Sequence, residues 1–264
     1  MLGYEQKRVL VVGGATGMGA AAAQRAAELG AEVTVLDVAE VAYPVKESIR
    51  VDLRSEEEVE AAIRRLDGPF HALFSCAGVA NGVRGLALIN FISQRRIIEG
   101  LIAKGGLGRG SAIGMISSVA GLGWQEALPQ LKEFLAIADW KAQAAWVEAH
   151  RTDDFATDAD GYSFSKRAMC AYVAMQAMPL ITQGIRINSI LPGPTDTPLA
   201  RANDFWLAYA ADYRKKAGLA DLQPRDMGDV LIFLCSPMAS GLNGENIIVD
   251  QGSVAAEVTG VYQR

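Results

Sequence analysis

Residues 8–37 read RVLVVGGATGMGAAAAQRAAELGAEVTVLD, and three local signals follow one another within them. Arg8–Val12 is a short apolar, valine-rich run with the composition of a buried strand. GGATGMG interrupts it, and AAAAQRAAELG is nearly pure helix former that stops at Gly30, a residue suited to the left-handed position after a helix end. Glu32–Asp37 is a second strand-like run. Strand, glycine turn, helix and strand make one β-α-β unit. Glycines at Gly13, Gly17 and Gly19 let the backbone turn sharply and approach a pyrophosphate, whose charge a helix N-terminus stabilises. Thr16 and Met18 occupy the same turn and are candidate contacts with it. The spacing Gly13-x-x-x-Gly17-x-Gly19 departs from Gly-x-Gly-x-x-Gly, and a glycine turn also serves plain helix packing, so this motif needs company.

Outward from this unit, strand-like runs at Ile49–Val51, Ala72–Ser75, Ala112–Ser117, Arg186–Leu191 and Asn246–Val249 alternate with helical stretches. That rhythm predicts an α/β fold, a doubly wound parallel sheet covered by helices on both faces. No repeat or Pro/Ser-rich linker divides the chain, so a single domain is expected over residues 1–264. Two segments break the rhythm. Trp124–Thr152 reads as an extra helical insertion, and Thr195–Ala220 is a long crossover, the kind of connection that often forms a lid.

Composition narrows the function classes. The chain has 264 residues, half of them apolar, with 25 Lys+Arg against 30 Asp+Glu and a net charge of −5. Such a chain can bury a large core, and it lacks the basic excess that a nucleic-acid binder needs. No apolar stretch approaches the ~20 residues of a membrane helix, and a glycine turn stands where a signal peptide would carry its apolar core. A soluble, cytoplasmic protein with no membrane or nucleic-acid partner is expected. Cys76, Cys170 and Cys235 are far apart and odd in number, which favours free thiols. His71 and His150 lack clustered partners, so no metal site is expected.

Asp37 ends the second strand, where a carboxylate can accept hydrogen bonds from ribose hydroxyls and would repel a 2′-phosphate. No Arg or Lys stands in the glycine turn and Val38 follows the aspartate, which favours NAD over NADP. An acidic residue at a strand end is also an ordinary solvated position. In GYSFSK, Tyr162 and Lys166 lie four apart and so share one face of a helix. A nearby cation favours the phenolate, which makes acid-base chemistry by the phenol possible at neutral pH. Taken alone, this pair is equally common helix decoration.

The order of the parts is more specific than any one of them: GGATGMG, Asp37, Ser75-Cys76-Ala77-Gly78, Asn90, Ile116-Ser117-Ser118-Val119-Ala120-Gly121, Tyr162-Ser163-x-x-Lys166, Asn188-x-x-x-Pro192-Gly193, and Gly244-x-x-x-x-x-Asp250-x-Gly252. This series resembles the short-chain dehydrogenase/reductase family over nearly the whole chain. The resemblance implies a Rossmann-type sheet of about seven strands. It implies that Gly13, Gly17 and Gly19 hold a dinucleotide pyrophosphate, Asp37 the adenine ribose, and Asp52 with Leu53 the adenine edge. Ala77 and Gly78 would pass under the cofactor, while Cys76 stands where an amide side chain often braces the sheet. Tyr162 would be the general acid/base, and Lys166 would lower its pKa and bond the nicotinamide ribose. Ser118 would align the substrate oxygen, with Ser117 as the fallback. Asn90 would hold a proton-relay water. Pro192, Gly193, Thr195 and Thr197 would grip the carboxamide, Thr197 being the favoured side-chain contact.

Ser118 and Tyr162 stand much further apart than is common in the family. The insertion between them is similar to that of the branch holding the bacterial 3α-hydroxysteroid dehydrogenase/carbonyl reductases, where it alters a helix face used for dimerisation. Trp124, Trp140 and Trp146 could equally be packing anchors. Leu199, Phe205, Trp206, Leu207 and Tyr209 in the crossover would suit an apolar, cyclic secondary alcohol or ketone of steroid or monoterpenoid type, and aromatics of this kind also pack lids and subunit interfaces. The resemblance also implies a homo-oligomer, dimer or tetramer. A carbonyl reductase of broad specificity, and a catalytically idle dinucleotide-binding scaffold or sensor, are the alternatives.

Overall fold

The computed structural model describes residues 2–152, 158–202 and 204–263, with the side chains of residues 204–207 and 209 outside the described set. Seven strands form one parallel sheet: β1 Arg8–Val12, β2 Glu32–Asp37, β3 Glu47–Arg50, β4 Ala72–Ser75, β5 Ala112–Ile116, β6 Arg186–Pro192 and β7 Asn246–Val249. Their order is β3-β2-β1-β4-β5-β6-β7, so the winding reverses between β1 and β4. The two chain segments leaving these strands diverge there, which opens a crevice at the carboxyl ends of the sheet. The third strand starts and ends earlier than the sequence predicts. Its register explains this: Thr34 pairs Glu47 and Asp37 pairs Arg50, so pairing to β2 selects a half-exposed ESIR run over the more apolar Ile49–Val51.

The helices are α1 Gly17–Glu28, α2 Glu56–Arg65, α3 Ser93–Ala103, α4 Leu128–Ala136, α5 Trp140–Ala149, α6 Tyr162–Ile181, α7 Pro198–Arg201, α8 Asp204–Ala217, α9 Pro224–Leu234 and α10 Ser253–Val258. One face of the sheet is covered by α1 and α9, where Ala22, Ala23 and Ala26 pack with Met227, Leu231 and Ile232. Alanine along one side of α1 leaves room for the helix to lie close to the strands. The other face carries α2, α3 and α6, with Ile63, Ile97, Leu101, Ala168 and Val173 in one core.

The insertion supplies α4 and α5, which lie on this second layer. Phe134 meets Phe91, Trp146 and Phe164 at ring distances of 5.6, 5.1 and 5.3 Å. The buried Arg95 of α3 donates to the Ile137 carbonyl at 3.0 Å and pairs with Glu99 at 2.8 Å. Trp140 and Trp146 are buried and Trp124 packs against the same core, so these three of the chain's four tryptophans serve as packing anchors. No helix of the described residues is long and apolar enough to cross a membrane.

Candidate active site

The crevice begins at Gly13. Its φ of +80° is in the left-handed region, and a Cβ there would fall 2.3 Å from the Ala77 Cα. Gly19 is helical, yet a Cβ on it would lie 2.0 Å from the Gly13 carbonyl oxygen. Glycine at these two positions is therefore a packing requirement that pulls the β1 turn, α1 and the β4 end together. Thr16 precedes α1 without capping it through its side chain, and the first turn carries no acidic residue. The amides at this helix start thus face the crevice with a favourable potential for a phosphate.

A continuous groove runs from here along the strand ends. Gly13, Thr16, Met18, Gly19, Asp37, Asp52, Leu53, Ala77, Gly78, Tyr162, Lys166 and Thr197 line it. Gly17, at a φ of +60°, faces Thr197. Asp37 accepts from the backbone N–H of Ala15 at 2.8 Å and of Ala39 at 3.0 Å. A carboxylate has further lone pairs, so it braces the turn and still presents acceptors to the groove. The sequence reading placed no cation near this end, and the structure corrects it: Arg54 lines the same groove. Arg54 is spoken for, however, since its Nη2 lies 2.6 Å and its Nε 2.9 Å from Asp52 carboxylate oxygens, a contact that holds the Asp52 pKa below its ordinary value. Nothing local in the sequence announced that pairing, which depends on a turn at residues 52–54.

At its inner end the groove meets a second, smaller pocket. Met18, Ala80, Ser117, Ser118, Val119, Tyr162, Pro192, Gly193, Pro194, Thr195, Thr197, Leu199 and Ala200 form its walls, which are mainly apolar. Tyr162 and Lys166 open α6. The helix start is fixed by Asn81, whose Oδ1 accepts from the Tyr162 N–H at 2.8 Å, a contact across 81 positions that sequence reasoning missed. Ser118 follows β5 and begins a short turn by accepting from the Ala120 N–H at 3.2 Å. Burial pushes the Tyr162 phenol above its ordinary pKa, and a hydrogen bond with Ser118 pulls it back. Ser117, the fallback candidate, shares the pocket wall, but its hydroxyl is engaged: its Oγ donates to the Lys166 carbonyl at 2.9 Å and lies 3.3 Å from the Cys170 sulfur.

Lys166 is buried with its ammonium 5.4 Å from the Tyr162 ring centroid, donating to the Ile116 carbonyl at 2.8 Å. Burial lowers its pKa from 10.5 to about 8. Between those two values the unfolded chain holds a proton that the folded chain has released, so the native state gains stability as pH rises from about 8 toward 10.5. Measured against Lys166→Met, which has no proton to release, the native protein is expected to gain melting temperature over that window and to show a constant difference below it.

Asn90 lies behind the groove wall, fully buried in a π-helical turn, Leu88–Ile92. Its Oδ1 accepts from the Val79 N–H at 2.8 Å, and its Nδ2 donates to the Val79 carbonyl at 3.1 Å and to Ser165 Oγ at 3.3 Å. Beyond it, Thr195 Oγ1 donates to the Gly193 carbonyl at 2.9 Å, which uses its proton. Thr197 Oγ1 accepts from the Ala200 N–H at 3.1 Å and keeps its proton for another group. Arg214 of α8, also unforeseen, is buried; it pairs with Asp221 at 2.7 Å and donates to the Pro194 carbonyl, tying the crossover to the pocket wall. Phe205, Trp206, Leu207 and Tyr209 have side chains outside the described residues, while Leu199 lines the pocket as expected. Cys76 is half-buried in the groove, and Cys170 and Cys235 are buried; all three are free.

The groove's glycine floor, open helix start and terminal carboxylate fit an extended dinucleotide. Comparison with known proteins agrees with this geometry. A family profile described as short chain dehydrogenase matches residues 7–102, and one described as enoyl-(acyl carrier protein) reductase matches residues 139–253. The chain is similar to the cis-4-hydroxycyclohexanecarboxylate dehydrogenase of Sinomonas cyclohexanicum, 27% identical over 96% of this chain and 98% of the relative. It is also similar to the 3-alpha-hydroxysteroid dehydrogenase/carbonyl reductase of Comamonas testosteroni, 27% identical over 92% and 95% of the two chains. In fold it resembles the crystal structure of the 3-alpha-hydroxysteroid dehydrogenase from Pseudomonas sp. B-0831 complexed with NADH, with a TM-score of 0.76, 24% identity, and coverage of 97% and 100%. With its seven-stranded parallel sheet, its dinucleotide groove and whole-length relatives of this kind, the chain belongs to the short-chain dehydrogenase/reductase family of nicotinamide-dinucleotide oxidoreductases.

Proposed function

We propose that this enzyme interconverts an apolar, cyclic secondary alcohol of steroid or monoterpenoid type and its ketone, with NAD as the cofactor. The observation that carries the reading is that Ser118 and Tyr162 line one apolar pocket where it meets the groove, with the Lys166 ammonium 5.4 Å from the Tyr162 ring. A scaffold has no physical need for that arrangement. The bound nicotinamide would supply hydride acceptance from the carbinol carbon in oxidation and donation to the carbonyl carbon in reduction.

The protein's own part is positioning and proton movement. Ser118 holds the substrate oxygen against the Tyr162 oxygen, which as phenolate takes the alcohol's proton in oxidation and as phenol returns it in reduction. Lys166, when charged, favours the phenolate form of Tyr162 and offers donors to a ribose. Met18, Val119, Pro194, Leu199 and Ala200 exclude water and suit a hydrocarbon ring. The crossover at residues 195–220 serves as the substrate lid, with Arg214 as its anchor. The named activities of the two curated relatives, on a hydroxycyclohexane acid and on hydroxysteroids, support a cyclic alcohol.

NAD is preferred to NADP because Asp37 would face a 2′-phosphate while Arg54 stays bound to Asp52. Asp37→Ala is expected to weaken NADH binding about tenfold and to narrow the preference over NADPH by a similar factor. Titrations of both reduced cofactors check this, and unchanged selectivity would assign the choice to another residue. The function itself is tested by following NADH formation with cyclohexanols, monoterpenoid alcohols and hydroxysteroids, with NADP in parallel. Turnover of ring alcohols with NAD preferred supports it; turnover of linear substrates alone contradicts the pocket reading.

A further inference from the structure

Gln94 is completely buried in α3, two residues beyond the π-helical turn. Its amide oxygen accepts from Ser75 Oγ at the end of β4. Its amide nitrogen donates to three carbonyls, those of Ala77 at 2.8 Å, Ile89 at 2.8 Å and Asn90 at 3.0 Å. Reversing the amide would turn its oxygen toward three other oxygens, so the surroundings permit one orientation.

The π-helical turn explains why one of those carbonyls, that of Ile89, needs a donor. The Ser93 N–H bonds the Leu88 carbonyl, five residues back, and so is withdrawn from Ile89, its partner in a regular α-helix. Gln94 supplies the replacement from its side chain. With the same amide it grasps Ala77, on the groove floor. One side chain therefore sets the separation between the floor and the turn that carries Asn90. From Asn90 the contacts continue to Ser165 Oγ at 3.3 Å, which donates to the Tyr162 carbonyl at 2.7 Å.

We propose that Gln94 is a positioning residue, holding the Ala77–Gly78 floor beneath the cofactor and, through Asn90 and Ser165, the start of the helix that bears Tyr162 and Lys166. The proposal rests on reading the groove as a dinucleotide site. Removing the donor leaves the Ile89 carbonyl without its replacement partner and lets the floor and the turn relax independently.

The test is NADH titration by fluorescence on three variants, with melting followed in parallel. Gln94→Met keeps length and loses both donors, and is expected to raise the NADH dissociation constant about tenfold; Ser75→Ala, which leaves the three carbonyl bonds in place, should stay within about twofold of the parent. Gln94→Glu adds a readout that packing alone would not move. Protonated, the acid still donates to a carbonyl; ionised, it sets negative charge against three carbonyl oxygens. The ratio of its dissociation constant to the parent's should therefore fall toward one at low pH and climb as pH rises. If Gln94→Met fails to fold, that ratio carries the test by itself. A folded Gln94→Met that binds NADH as the parent does, or a Gln94→Glu ratio flat with pH, overturns the proposal. A parent that binds no NADH overturns the dinucleotide reading and this proposal with it, a result distinct from tight parental binding left untouched by the variants.

Discussion

Tyr162→Phe is expected to lower kcat about a thousandfold while the NADH dissociation constant stays within about threefold of the parent. The substitution removes one oxygen at the mouth of the apolar pocket, and its partner there is the Ser118 hydroxyl. The ring itself, and its contact with the Lys166 ammonium at 5.4 Å, remain. Transition-state proton transfer is lost without a change in ground-state cofactor contacts, so kcat and binding should separate. Steady-state kinetics beside NADH titration checks this, and retained turnover would remove Tyr162 from the acid/base role.

The second large effect is steric. Ala in place of Gly within a helix normally stabilises it by about 1 kcal/mol, and Gly19 lies in the first turn of α1. Here the sign should reverse. The added Cβ would sit 2.0 Å from the Gly13 carbonyl oxygen and 3.0 Å from the Cys76 Cβ, neither of which can swing away without moving backbone. Gly19→Ala is expected to cost about 2–3 kcal/mol of stability, the range of an overpacked core, and to abolish measurable NADH binding by widening the turn. Denaturant unfolding and NADH titration read the two effects. A variant as stable as the parent would show that the turn relaxes freely.

What could be read from the chain is what depends on neighbours in sequence. The valine run of β1, the alanines of α1 and the Asp at the end of β2 are local patterns, and the structure gives all three the expected places. The four-residue spacing of Tyr162 and Lys166 puts both at one end of α6, again a consequence of helix geometry alone. The strands were legible to within a few residues, with β3 displaced because an edge strand takes its register from β2 rather than from its own apolar pattern.

The remainder is held by contacts between a side chain and a distant backbone group, which have no sequence period. Gln94 reaches Ser75 and Ala77, Asn81 caps a helix that starts at Tyr162, and Arg214 grips Pro194. Each residue looks like ordinary polar decoration until the chain is folded. Arg54 went unnoticed for the same reason: only the fold brings it to the groove, where its bond to Asp52 holds it. Ser117 and Ser118 were adjacent candidates in the sequence, and the fold separates them by sending one hydroxyl to the Lys166 carbonyl and the other to Tyr162.

The central claim is hydride transfer from a ring carbinol to a nicotinamide in this groove. It is tested most directly by incubating the protein with NAD and a cyclic secondary alcohol deuterated at the carbinol carbon, then weighing the reduced cofactor by mass spectrometry. The account predicts that deuterium appears on the cofactor with the native protein and about a thousandfold more slowly with Tyr162→Phe. Tight NADH binding without label transfer from any ring alcohol, over a panel from cyclohexanols to hydroxysteroids, would contradict it and favour a dinucleotide-binding scaffold.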